Sequence, residues 1–89
     1  MSRLFVRHQV ADYDAWRKVY SDFDPTRRSM GVIGDAVYRS ADDPNNVTAW
    51  HDFGSIDEAR AFAGSTELKE AMAAAGVTSA PDIWFVEKA

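Results

Sequence analysis

The sequence predicts one small α+β domain with the element order β-α-β-β-α-β, and three observations carry that expectation. Residues 3–10, Arg-Leu-Phe-Val-Arg-His-Gln-Val, alternate with a two-residue period. Leu4, Val6, His8 and Val10 fall on one face and Arg3, Phe5, Arg7 and Gln9 on the other, as a strand between two different environments requires. From Asp12 the period becomes helical and sets Trp16, Val19, Tyr20 and Phe23 on one stripe. Further on, two alternating runs flank Ala41-Asp-Asp-Pro-Asn-Asn46, a dense cluster of turn formers that marks a hairpin.

Taken in order, Asp12 is an N-cap for a helix beginning at Tyr13, and Asp14 adds negative charge to its first turn. Asp24-Pro25 is a second start signal, so the helical region bends near Phe23 and runs on to Met30, with Gly31 as its stop. The second strand spans Val32 to Ser40, where Ile33, Val37 and Arg39 alternate against Gly34, Ala36 and Tyr38; the latter two are expected on the helix side. The third spans Val47 to Phe53, with Val47, Ala49, His51 and Phe53 inward and Thr48, Trp50 and Asp52 outward. Ser55 and Glu58 form a capping box for a helix burying Ile56, Ala59, Phe62 and Ala63. Gly64-Ser65-Thr66 interrupts it, and a second segment turns Leu68, Ala71, Met72 and Ala75 inward until Gly76. Pro81 to Glu87 is the last strand, Ile83 and Phe85 opposed to Trp84 and Val86. With right-handed crossovers this order is the ferredoxin-like one: an antiparallel sheet, spatial order 4-1-3-2, with both helical regions on one face.

A chain of 89 residues without cysteine has a marginal core and no disulfide or thiolate metal site to reinforce it. Association is the remaining means of burying more surface. The outer sheet face carries Phe5, Trp50, Trp84 and Val86 beside Arg7 and Asp52, too much apolar surface to leave in water. A homodimer through Phe5, Arg7, Trp50, Asp52 and Trp84 is therefore expected, with Arg7 and Asp52 pairing across strands or across the interface. The net charge of −4 argues against nucleic acid or an anionic membrane as partner. With no leader or long apolar run, the expected location is cytoplasmic.

His8 and His51 fall by parity on the helix side, either opposite, about 5 Å apart, or diagonal by one or two positions, about 7 Å or more. Two histidines there suit an acid–base pair, because imidazole titrates near neutral pH. Without a carboxylate on the same face they are too few to hold zinc. Tyr13, Trp16, Tyr20 and Tyr38 are placed to stack on, or hydrogen-bond, a flat aromatic ligand in a cavity between sheet and helices. Packing is the simpler account of Trp16 and Tyr20.

Residues Val6-Arg-His-Gln-Val-Ala-Asp-Tyr-Asp-Ala-Trp16, the hairpin from Val37 to Val47 and Ala59-Arg-Ala-Phe62 resemble the antibiotic biosynthesis monooxygenase-like proteins of the dimeric α+β barrel superfamily. The resemblance implies protomers packed sheet to sheet, each with a pocket between its sheet and helices. It also implies cofactor-independent chemistry on a small aromatic or polyketide-like substrate, an electron-rich phenol or anthrone being deprotonated to react directly with dioxygen. On that reading the protein is a monooxygenase or cyclase without cofactor or metal. His8 is the base or hydrogen-bond partner, His51 and Tyr38 orient the substrate oxygen, and Trp16, Tyr13 and Tyr20 bind the ring. The Asn–Trp–His set of the haem-degrading members is missing, since Asn45 and Asn46 lie in the hairpin turn. The alternatives are a dimeric small-molecule binding protein without turnover and a structural or stress-related dimer.

Overall fold

The computed structural model describes residues 1–89. The elements are β1 (Ser2–Gln9), α1 (Tyr13–Asp22), α2 (Asp24–Ser29), β2 (Gly34–Arg39), β3 (Asn46–Phe53), α3 (Ile56–Ala63), α4 (Thr66–Ala74) and β4 (Asp82–Glu87). The strands form one antiparallel sheet in the order β2-β3-β1-β4, the ferredoxin-like arrangement expected.

Each helical region is two short helices because the chain supplies a second start signal inside it. The Asp12 carboxylate accepts from the Asp14 amide at 3.3 Å, and Asp24-Pro25 opens α2 directly after Phe23. Ser55 and Ser65 each accept an amide hydrogen bond, from Glu58 and Leu68, at 3.2 and 3.1 Å, which satisfies donors that a helix start leaves free. Gly31 ends α2 at φ 102°, a left-handed conformation that a side chain would strain.

Along β1 the even positions are buried, and the residues facing them on β3 are Val47, Ala49, His51 and Phe53. The core divides into two groups. Leu4, Val6, Val32, Phe53, Ala59, Phe62 and Leu68 make the first, and Val10, Trp16, Val47 and Ala75 the second. The outer face carries Phe5 stacked on Trp84 at 5.2 Å and the Arg3 guanidinium 3.8 Å over Trp50.

Three placements differ from expectation. Strand β2 presents the opposite face: Val37 pairs with Ala49 and Arg39 with Val47 on the helix side, while Tyr38 pairs with Thr48 on the outer side and is 58% exposed. Asp52 is bound within the chain by Arg3, at 2.7 and 3.0 Å, because Arg3 stands directly opposite it; Arg7 instead approaches Asp82 at 3.9 Å. His8 and His51 are neither opposite nor diagonal. His8 faces Val47 and His51 faces Leu4, four register positions or about 13 Å of strand. No helix is long and apolar enough to cross a membrane.

Candidate active site

A cavity of about 50 Å³ lies between the sheet and the helices, room for a few water-sized groups. Both core groups contribute to its walls: Val6, Phe62 and Leu68 from one, Trp16 and Ala75 from the other. His8 and Ala49 complete the strand side, and Val19, Phe23, Ala71 and Met72 the helix side. Its polar residues are His8, Tyr20, Arg27 and His51.

The polar groups at the His51 end form a connected set. The Tyr20 hydroxyl lies 2.5 Å from Asp35 Oδ2 and 3.4 Å from His51 Nε2. Arg27, 3% exposed, donates from Nη1 to the Tyr20 carbonyl at 2.7 Å and from Nη2 to Asp24 at 2.9 Å, and its guanidinium stacks 3.7 Å over the Tyr20 ring. Asp35 also receives Arg28 Nη2 at 2.9 Å and has Arg27 Nη2 at 3.8 Å.

These neighbours set the charges. Burial, reinforced by the Arg27 cation, lowers the His51 pKa to about 4, so the ring is neutral at pH 7. Burial alone lowers that of His8. Burial pushes the Asp35 carboxyl up, but the Tyr20 hydrogen bond and the two arginines outweigh it and hold it below its ordinary value, as a carboxylate. Burial, with the hydrogen bond to Asp35, keeps the Tyr20 phenol protonated well beyond its usual range.

Four buried side-chain polar atoms have no hydrogen-bond partner in the protein: both ring nitrogens of His8, Nδ1 of His51 and Nε of Arg27. All four belong to residues lining this one cavity. Buried polar groups are otherwise almost always paired, so each unpaired one calls for an explanation. A mostly apolar ligand with polar atoms facing these groups would supply the partners that the protein does not.

Of the residues expected at the site, His8, His51, Trp16 and Tyr20 are brought together on the cavity wall. Tyr38 is not, because the face of β2 is reversed. Tyr13 stands behind Trp16, the rings 5.9 Å apart, with the Arg39 guanidinium 3.9 Å over its other side. Arg27 and Asp35 are the residues that sequence reasoning missed. A signal for Arg27 existed: Trp16, Tyr20, Phe23 and Arg27 are spaced 4, 3 and 4 residues apart, one continuous inward stripe.

A surface groove of about 380 Å³ runs between α1–α2 and α4, and Val19, Phe23 and Ala71 line both it and the cavity. Within their spans α4 buries only Leu68 and α1 only Trp16, so neither wall of the groove is deeply anchored. The groove's rim carries Asp22, Glu67 and Glu70, a negative potential that favours neutral over anionic ligands.

The sheet order, the helices on one face and the cavity between them define a ferredoxin-like α+β protein with an internal site. Among solved structures the chain has the fold of the antibiotic biosynthesis monooxygenase-like proteins over nearly its full length. It superimposes on an antibiotic biosynthesis monooxygenase with a TM-score of 0.77, at 8% identity over 100% of this chain and 99% of that one. A similar likeness holds for SnoaB, a cofactor-independent oxygenase from Streptomyces nogalater solved as an asparagine-to-alanine variant: TM-score 0.76, 19% identity, 98% and 91% of the two chains. A protein of unknown function from Nitrosomonas europaea gives 0.76 at 20% identity over 98% and 87%. At these identities the likeness is one of fold. No protein-family profile and no curated protein matches the chain.

Proposed function

We propose that the protein is a cofactor-independent oxygenase or cyclase that takes a small, electron-rich aromatic substrate, of anthrone or hydroquinone type, into the cavity between sheet and helices. The observation that carries this reading is the set of four unpartnered polar atoms in an otherwise apolar cavity. His51 acts as base: a substrate C–H or O–H bond breaks, the proton passes to the imidazole and the electron pair remains on the substrate. The Arg27 Nε–H donates to the oxygen on which that charge settles, since donors in a desolvated site are worth more than in water, and the His8 ring meets a polar group elsewhere on the ligand. The proton transfer is uphill for the free imidazole, but the new imidazolium and the substrate anion form an ion pair that offsets the cost of burying each. With an anthrone, the carbanion joins dioxygen as a hydroperoxide, and loss of water leaves a ketone. One oxygen atom stays in the product and the other leaves as water.

The cavity as it stands is smaller than the roughly 300–1,000 Å³ of ordinary ligand sites. The substrate therefore enters from the adjoining groove with an outward shift of α4. Oxygen consumption by the purified protein with 1,8-dihydroxyanthrone, without flavin or metal, is the expected result. Binding of the anthrone without oxygen uptake favours a receptor instead, and the absence of both overturns the proposal.

The functional unit on this reading is a homodimer. Tyr38, Trp84 and Val86 are 58%, 41% and 39% exposed on the outer sheet face, and packing two such faces together covers them, as in the apolar centre of a typical interface. Light scattering at micromolar concentration is expected to give twice the chain mass, and a monomer contradicts it.

A further inference from the structure

We infer that Asp35, acting through the Tyr20 hydroxyl, fixes His51 as the Nε2–H tautomer and so makes Nδ1 the proton-accepting nitrogen of the cavity. The argument is a count of protons. Asp35 carries a salt bridge to Arg28 at 2.9 Å and has the Arg27 guanidinium at 3.8 Å, so it is a carboxylate and can only accept. The Tyr20 hydroxyl lies 2.5 Å from that carboxylate and therefore spends its one proton there. At its 3.4 Å contact with His51 Nε2 the phenol oxygen can only accept, so Nε2 bears the hydrogen. A neutral imidazole has one N–H, and Nδ1 is left with a free lone pair.

Nothing in the protein bonds to that lone pair, and it is buried. His8, further along the cavity wall, differs: neither of its nitrogens has a partner, so no contact in the chain selects a tautomer, and the ring can present a donor or an acceptor to a ligand. The family resemblance gives the base's role to His8 and an orienting role to His51, and this assignment exchanges the two. Asp35 is a positioning residue here. The arrangement follows the logic of a carboxylate that orients a histidine in an acyl-transfer triad, with a phenol inserted between the two groups. This assignment adds to the reading of His51 as base, and its effect on turnover rests on that reading; the tautomer itself does not.

The test is long-range nitrogen–proton correlation NMR on the uniformly ¹⁵N-labelled full chain at neutral pH. In the wild-type protein the His51 ring is expected to show a protonated Nε2 and an unprotonated Nδ1. In Asp35→Ala the freed phenol proton turns towards Nε2, and the His51 signals are expected to exchange roles. In Tyr20→Phe, which removes the acceptor at Nε2, they are expected to become a mixture of both forms. If substrate turnover is found, Asp35→Ala is expected to lower kcat by at least about tenfold with KM nearly unchanged. A wild-type His51 protonated at Nδ1, or an Asp35→Ala protein that folds and keeps Nε2–H, overturns the inference. Should Asp35→Ala not fold, the wild-type and Tyr20→Phe spectra decide. A correct tautomer with no oxygen uptake leaves this inference standing and removes only the proposed reaction.

Discussion

Replacing His51 with alanine is expected to lower anthrone-dependent oxygen uptake by about 10²- to 10⁴-fold, the range lost with a general base. The same loss is expected for His51→Gln, which keeps most of the volume and a donor towards Tyr20 but has no basic nitrogen. The two variants together separate lost chemistry from lost packing, because the ring lies between Tyr20 and Phe62, 6.0 and 5.4 Å from their centroids, and an alanine leaves a void. His8→Ala is expected to act chiefly on KM, since His8 offers contacts to the ligand while the base and its tautomer remain. Tyr38→Phe is expected to change neither constant, because Tyr38 lies on the other face of the sheet. Steady-state oxygen-electrode kinetics on the four variants checks these expectations; full activity in both His51 variants contradicts them.

Acid is expected to destabilise the protein strongly before its carboxylates titrate. The folded-state pKa of His51 is about 4, against about 6.5 in an unfolded chain. Between these values the unfolded chain binds a proton that the native ring refuses, so unfolding free energy rises with pH. The contribution is complete above about pH 6.5 and is lost as pH falls towards 4, about 3 kcal/mol in all. The lowered pKa of His8 acts in the same direction. Arg27 and Arg28 oppose protonation of His51, Asp35 and Asp52 favour it, and burial decides the balance. In a domain of this size the loss corresponds to a fall of roughly 12–24 °C in Tm. Thermal melts from pH 7 to pH 4 read it directly. His51→Gln is expected to show a markedly shallower slope, and equal slopes contradict the assignment.

Much of the fold is legible in the sequence because it is written in local signals. The two-residue alternation of β1, the caps at Asp12, Ser55 and Ser65, the break at Phe23-Asp24-Pro25 and the stop at Gly31 each act within one element. They survive in the structure. The face of β2 is not local. Arg39 pairs with Val47 across the seven residues 40–46, a connection too long to fix register, and a slip of one residue reverses a strand. Within β2, Val37 and Tyr38 compete for the inside with little else to decide between them. The helix layer takes Val37, which packs against the group of Val10, Trp16, Val47 and Ala75.

The candidate site inherits that pattern. His8 and His51 stand on long, clearly alternating strands, so their face was legible while their separation, a matter of register, was not. Arg27 was concealed by its chemistry: a cation in the last turn of a helix suits the helix dipole, and only the continued stripe from Trp16 marks it as buried. Asp35 gains its role from Tyr20, fifteen residues away on another element, and no spacing within one element reveals such a pair.

The cavity's place in function is tested most directly by titrating 1,8-dihydroxyanthrone, under nitrogen so that no turnover occurs, into the isotopically labelled protein. Ring resonances of His8, His51, Tyr20 and Trp16 are followed by NMR alongside those of Tyr38, Trp50 and Trp84. Saturable shifts at the first four, with the outer-face rings unmoved, are the predicted result. Shifts confined to Tyr38, Trp50 and Trp84 would contradict it and move the ligand to the other side of the sheet.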